Sequence, residues 1–172
     1  MGIGQDALML HMDGYNCAQA VLASAGKLTG LDEAEALAIA AGFGGGLRCG
    51  EVCGAVSGAV MALGKCFPYN DSSDIEAKAK IAELARDFCA EFKARFGGLR
   101  CEDIVGDRSH CNEYICAAAE LLEKTIKENR KAYLEIENDN EGPREIEPEQ
   151  IKINLNGRTI EEDSNTRGRK KF

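Results

Sequence analysis

The sequence predicts an all-α fold, a compact bundle of about five helices followed by a C-terminal extension that could form a small β-hairpin. Hydrophobic residues make up 44% of the 172 residues, but aromatic residues make up only 6% and tryptophan is absent. The core must therefore be built mainly from Ala, Leu, Ile and Val, which favours closely packed helices. Apolar residues also recur at helical spacing, as in Ile81, Leu84, Phe88 and Phe92.

Capping residues and apolar periodicity place the helical segments in order. Asn16 is suited to cap a helix after an interruption at residues 13–15, and Ser73 with Glu76 makes a capping box before the longest segment. The predicted helical segments cover residues 6–27 with that interruption, then 32–42, 52–64, 73–96, 102–105 and 109–131.

The composition changes near residue 136, where acidic residues become frequent and two of the three prolines occur. We therefore expect residues 1–135 to form a cysteine-rich helical domain and residues 136–172 to form a charged extension. Within the extension, Asn156-Gly157 between two short apolar runs is typical of a two-strand hairpin, which would have to dock or remain mobile.

The charge and the cysteine content narrow the function classes. A net charge of −8 argues against a general nucleic-acid-binding surface, which needs a basic face. No apolar run is long enough to span a membrane and no export signal is recognisable, so we expect a cytoplasmic protein. The eight cysteines are then expected to be thiols or metal ligands and not a disulfide framework. No hydrolase triad, Walker loop or HExxH motif is present.

The segment from Gly42 to Gly64 carries the most information. Its glycines let the backbone present Cys49 and Cys53 at the start of a helix, where unpaired N–H groups and the helix dipole favour a thiolate. Gly54 and Gly58 allow a neighbouring helix or a bound group to approach closely.

An internal echo links this segment to a second turn. The run FGGGLRC ends at Cys49 and the run FGGLRC ends at Cys101. Glycine would end each helix, and Arg48 or Arg100 would stabilise the thiolate of the cysteine that follows it. The two turns could converge on one site, although Gly-Gly is also a common helix stop and the match could be accidental.

Four cysteines make the sequence recognisable. Cys17 in YNCAQAV, Cys53 in CGAVSG, and then Cys101 and Cys111 resemble the pattern of the C_GCAxxG_C_C family, whose members are described as redox-active. The resemblance covers roughly residues 5–130. It implies a small helical domain in which these four cysteines are functional. The remaining cysteines, which fall outside the pattern, are Cys49, Cys66, Cys89 and Cys116.

Three functions are compatible with these residues. In a thiol–disulfide redox protein, a cysteine of low pKa, Cys53 or Cys17, would attack a disulfide or oxidant and a neighbour would resolve it. The partner would be a redox protein or a small thiol or disulfide, and an oligomer is possible. In a metal or iron–sulfur binding domain, thiolates would surround a transition metal or cluster. In an interaction module the cysteines would be inert. The candidate catalytic cysteines are Cys17, Cys53, Cys101 and Cys111, and the alternative metal ligands are these four with Cys49.

The sequence favours no functional role for the remaining three cysteines or for the two histidines. Cys66, Cys89 and Cys116 are expected to fill apolar positions, since cysteine often behaves as a small hydrophobe. His110 is expected to lie at the surface, and His11 has no informative neighbours in the sequence.

Overall fold

A computed structural model describes residues 2–106 and 110–140, with side chains described up to residue 130. In this part of the chain the fold is all-α, as predicted, with eight α-helices. The excess over the predicted number comes from short helices and from the break after the first segment. The helices are α1 (Ile3–Met12), α2 (Cys17–Ser24), α3 (Gly26–Thr29), α4 (Glu33–Ala40), α5 (Gly54–Cys66), α6 (Ile75–Phe96), α7 (Cys101–Val105) and α8 (Cys111–Asn140).

The C-terminal predictions fall at or beyond the end of the described residues. Helix α8 continues to Asn140, past the predicted boundary at residue 135. The predicted hairpin around Asn156-Gly157 lies outside the described residues, and the division into two domains stays a prediction. No described helix combines the length and the apolar character needed to cross a bilayer.

The capping predictions had different outcomes. The Asn16 side chain accepts the N–H groups of Ala18 and Gln19, and Gln19 accepts the N–H of Asn16, so the predicted cap is confirmed as a capping box. The Ser73 cap is wrong. Asp74 caps α6 by accepting the Ala77 N–H at 2.9 Å, because its carboxylate stands one residue nearer the first turn.

Helix α2 is the centre of the bundle and packs against α1, α4, α5 and α8. Its small side chains are buried almost all round, and Ala18, Ala20 and Val21 have no exposed surface. Small residues let the neighbouring helices approach closely, as the composition predicted. The largest fully buried side chains around this centre include Leu22, Leu63, Phe88, Phe92, Ile115, Leu122 and Ile126.

An aromatic cluster joins the second half of the bundle to the end that carries the cysteines. The rings of Phe92 and Phe96 lie 4.7 Å apart, and Phe96 meets Tyr114 edge-on at the same distance. The Tyr114 hydroxyl donates to the Ile104 carbonyl at 2.7 Å. These contacts hold α6, α7 and α8 together next to the first residues of α7 and α8, where two of the family cysteines lie.

Candidate functional site

The starts of α2 and α5 bring two cysteines together. Cys17 is the first residue of α2, directly after the Asn16 cap, and Cys53 is the N-cap residue of α5. Between them lies Gly54, where an added Cβ would overlap the Cys17 sulfur. The absence of a side chain at Gly54 therefore lets the first turn of α5 rest directly on Cys17.

The segments that lead into Cys53 and Cys101 pair through their backbones. Residues 51–53 pair antiparallel with residues 99–101 around an isolated bridge at Val52. The backbone N–H groups of Cys53 and Cys101 each donate to a carbonyl of the opposite segment, at 2.8 and 2.6 Å. Both side chains point into the protein, with exposed fractions of 3% and 7%. This pairing thus places Cys53 and Cys101 on the same inward face, diagonally across the two segments.

A cavity of about 250 Å³ lies where these helix starts converge. We call it the inner cavity. All four cysteines of the family pattern line it, and each comes from the beginning of a different helix. The cysteines are Cys17, Cys53, Cys101 and Cys111, and the polar lining side chains include His11, Arg48 and Tyr114.

A second cavity of about 350 Å³ adjoins the first and opens toward the surface. We call it the outer cavity. Cys49, which is exposed, lines it together with Glu102. Arg48 and Cys101 line both cavities, so they form part of the wall between them. Of the two arginines expected to stabilise thiolates, Arg48 is thus the one that lines the cavities, and its guanidinium donates to the Ala41 carbonyl at 3.2 Å.

Arg100 lines neither cavity, and its contacts are with carboxylates, so they do not support the expectation that it stabilises a thiolate. Its guanidinium lies 3.2 Å from Glu102, 3.4 Å from Glu51 and 3.7 Å from Asp103. These carboxylates, Glu102 foremost, raise the pKa of Arg100. They already neutralise the positive charge that the sequence prediction assigned to a thiolate.

The turn that carries Arg48 and Cys49 has a left-handed backbone. Gly45 and Gly46 have φ of 62° and 63°, and Leu47 and Arg48 follow with φ of 56° and 62°. Left-handed φ costs a non-glycine residue about 1–2 kcal/mol, so this turn is maintained against its local preference. A Cβ at Gly46 would lie 2.7 Å from the Cys101 Cβ, so glycine is needed there.

Burial, and not the helix dipole, sets the acidity of Cys53. Its pKa is raised from 9.0 to about 12, chiefly by desolvation and to a smaller extent by the nearby charges of Cys17 and Cys101. Hydrogen bonds from the N–H groups of Ala55 and Val56 lower the pKa but do not outweigh burial. The prediction that Cys53 has a low pKa is therefore wrong for the reduced protein.

The raised pKa of Cys53 predicts a loss of stability at alkaline pH. A group with a raised folded-state pKa stabilises the protein fully below pH 9.0, and this stability is lost as pH rises through about 12. Between pH 8 and pH 11 the free energy of unfolding should fall by about 2–3 kcal/mol through this group, at about 1.4 kcal/mol per pKa unit. Denaturant unfolding of the reduced wild type and of Cys53→Ser would measure the difference, and equal losses in both proteins would contradict it.

His11 is a site residue that the sequence analysis missed. It lies in the last turn of α1, lines the inner cavity, and has its Nδ1 2.7 Å from the Tyr15 carbonyl oxygen. A carbonyl only accepts hydrogen bonds, so Nδ1 carries the proton and a neutral ring keeps its lone pair on Nε2. The spacing of His11 to Tyr15 across the end of a helix was the available signal, but only the fold shows that this corner adjoins the cysteines.

The cysteines outside the pattern lie away from the inner cavity. Cys66 and Cys89 are half-buried and pack against the core, as expected, and burial raises the pKa of both thiols. Cys116 differs from the expectation of an apolar position, because its thiol donates to Glu120 at 3.5 Å at the surface of α8. None of these three lines either cavity.

The described side chains do not form a recognisable metal site. Within residues 2–106 and 110–140, no three His, Cys, Asp or Glu side chains are arranged so that they could hold a metal ion. A metal or cluster bound by Cys17, Cys49, Cys53, Cys101 and Cys111 stays a hypothesis.

The fold and the inner cavity define an all-α protein in which cysteines from separate helix starts converge on one pocket. The chain belongs to the family described as "Putative redox-active protein (C_GCAxxG_C_C)", whose model matches residues 15–125, more than half of the chain. This confirms the resemblance seen in the sequence. The search of curated proteins and the search of solved structures each found no match.

Proposed function

We propose that the protein is a thiol–disulfide redox protein whose inner-cavity cysteines cycle between dithiol and disulfide. The observation that carries this proposal is the convergence of Cys17, Cys53, Cys101 and Cys111 on one cavity of about 250 Å³. Cysteines that merely fill a core have no reason to gather at one place, whereas dithiol chemistry needs sulfurs close together.

The environment of Cys53 suits a cysteine that ends in the protein disulfide, and it does not suit the thiol that attacks the substrate. Burial penalises a thiolate, but it does not penalise a thiol or a disulfide, since both are uncharged. Cys17 and Cys101 line the same cavity as Cys53 and their charges raise its pKa, so these two cysteines are its candidate partners. A disulfide formed there would be shielded from bulk reductants.

His11 supplies a proton acceptor for the same cavity. A neutral His11, with Nδ1–H held by Tyr15, presents Nε2 as a base. When Cys53 forms its disulfide, its proton would pass to this nitrogen and then to solvent. This compensates for the poor acidity of a buried thiol without requiring a standing thiolate.

The net reaction consumes one disulfide and two protein thiols. A substrate R–S–S–R gains two electrons and two protons and leaves as two R–SH, while the protein gains one S–S bond. The partner is a redox protein or a small disulfide, and the reaction reverses when the protein disulfide is the better oxidant.

The test is the location of the disulfide formed on oxidation. Fully reduced protein is treated with glutathione disulfide, and the remaining thiols are alkylated and mapped by mass spectrometry. We expect a disulfide between Cys53 and another inner-cavity cysteine that dithiothreitol removes. Inner-cavity cysteines that all remain thiols, or a disulfide confined to Cys66, Cys89 or Cys116, would contradict the proposal.

Elemental analysis separates the alternatives. Iron, zinc and copper would be measured per chain in protein purified without oxygen. A near-integer content that is lost in Cys53→Ser would replace the proposal with a metal or iron–sulfur site. Metal-free protein without reversible oxidation would indicate an inert interaction module.

A further inference from the structure

We propose that Cys49 is the entry thiol of this protein, which takes up a disulfide at the surface and passes it through Cys101 to the inner cavity. The inference rests on the proposed function and names the surface step that precedes the inner-cavity disulfide. Cys53 and Cys101 expose only 3% and 7% of their surface, so a substrate cannot reach them directly.

The two cavities provide the route. Cys49 is exposed and lines the outer cavity of about 350 Å³. Cys101 lines that cavity and also the inner one, where Cys53 lies. The three cysteines thus run from solvent to core, and Cys101 stands at the wall that the cavities share.

Packing around Gly46 brings the first two cysteines of the route together. The Cys49 thiol donates to the Gly46 carbonyl at 3.5 Å, and a Cβ on Gly46 would lie 2.7 Å from the Cys101 Cβ. Both cysteines therefore lie next to Gly46. Gly46 can take this position because its φ of 63° costs glycine little.

The last transfer follows from the backbone pairing of the two turns. Cys53 and Cys101 lie on paired segments and both point inward. Cys53 and Cys101 each directly follow the bridged residue of their own segment, Val52 or Arg100. Their side chains therefore lie on the same face of the pair and face the same cavity. Cys101 is thereby adjacent to an outer thiol on one side and to an inner thiol on the other.

The transfers balance in bonds and electrons. The Cys49 thiolate attacks one sulfur of R–S–S–R, the substrate S–S bond breaks and R–S⁻ leaves. The Cys101 thiolate then attacks the Cys49 sulfur, and the second R–S⁻ leaves. Finally the Cys53 thiol loses its proton as its sulfur bonds to the Cys101 sulfur, which restores the Cys49 thiolate and leaves the disulfide in the inner cavity. The two thiol protons pass through solvent to the two R–S⁻ groups, and the substrate receives both electrons.

The test compares Cys49→Ser with a matched control, Cys116→Ser, in the full chain. Cys116 is also partly exposed but lines neither cavity. With glutathione disulfide as the probe, quenched alkylation and mass spectrometry would follow the formation of the inner-cavity disulfide. Cys49→Ser should slow this step about tenfold or more, because Cys49 is the exposed thiol of the two cavities, whereas Cys17 and Cys111 are half-buried and Cys53 and Cys101 are buried. Cys116→Ser should react at the wild-type rate.

A second variant tests the order of the transfers. Cys101→Ser should stop at a mixed disulfide between glutathione and Cys49, with one glutathione released per chain instead of two. If Cys49→Ser forms the inner-cavity disulfide at the wild-type rate, the entry role is wrong while the proposed function stands. If the wild type forms no inner-cavity disulfide at all, both the entry role and the proposed function fail.

Discussion

Gly58→Ala should lower the free energy of unfolding by about 3 kcal/mol or more, because α5 packs directly on the backbone of α2 at this point. An added Cβ would lie 2.5 Å from the Ala18 carbonyl oxygen and 3.2 Å from its Cα. Backbone atoms cannot rotate away as a side chain can, so the two helices must separate. Overpacking of this kind typically costs about 1–3 kcal/mol, and the upper end is expected here because α2 also packs against α1, α4 and α8 and has little room to shift.

Gly64→Ala is the matched control for this experiment. Gly64 lies in the same helix, but an added Cβ would meet nothing within 4 Å. Alanine there should raise the free energy of unfolding by about 0.5–1 kcal/mol, since it restricts the unfolded chain and favours the helix. Denaturant titration of both variants would measure the two effects, and effects of the same sign would contradict the packing argument.

The contact between α5 and α2 explains why the two glycines of the CGAVSG motif are four residues apart. Gly54 rests on the Cys17 sulfur and Gly58 rests on Ala18, one turn of α5 further along. Together they fix the depth of α5 against the start of α2, so Cys53 and Cys17 face one cavity. We therefore expect Gly58→Ala to impair the redox chemistry as well as the fold.

Local signals in the sequence predicted local features well. The Asn16 cap follows from an asparagine before an apolar helix, and the close approach at Gly54 and Gly58 follows from their lack of side chains. The Ser73 cap failed because Asp74 competes for the same helix start, and the sequence alone does not rank adjacent capping residues.

Features that depend on how deeply a residue is buried, or on where the helices lie relative to each other, were not predictable from the sequence. A helix N-terminus favours a thiolate only where solvent or charge also supports it, and the sequence does not reveal that Cys53 is buried. The role of His11 depends on where the end of α1 lies relative to α8. The neighbours of Arg100 are a different case, because Glu102 and Asp103 lie within three residues of it in the sequence and already indicate a neutralised guanidinium.

Cys53→Ser should abolish the reversible inner-cavity disulfide, whereas Cys89→Ser should leave it intact. The two substitutions replace sulfur by oxygen in the same way, but only Cys53 shares a cavity with other cysteines. Cys89 is half-buried against the core, so its hydroxyl would cost about 1 kcal/mol of stability without affecting redox chemistry.

The measurement is the number of thiols lost to glutathione disulfide and recovered with dithiothreitol, with unfolding followed in parallel. In Cys53→Ser, oxidation should stop at a disulfide between Cys49 and Cys101. This bond lies nearer the solvent than a disulfide of the inner cavity, so it should be reduced more easily. Equal redox behaviour of the two variants would remove the central role assigned to Cys53. A selective loss in Cys53→Ser would mean that the buried, weakly acidic thiol serves as the store of the disulfide and depends on more accessible sulfurs to meet the substrate.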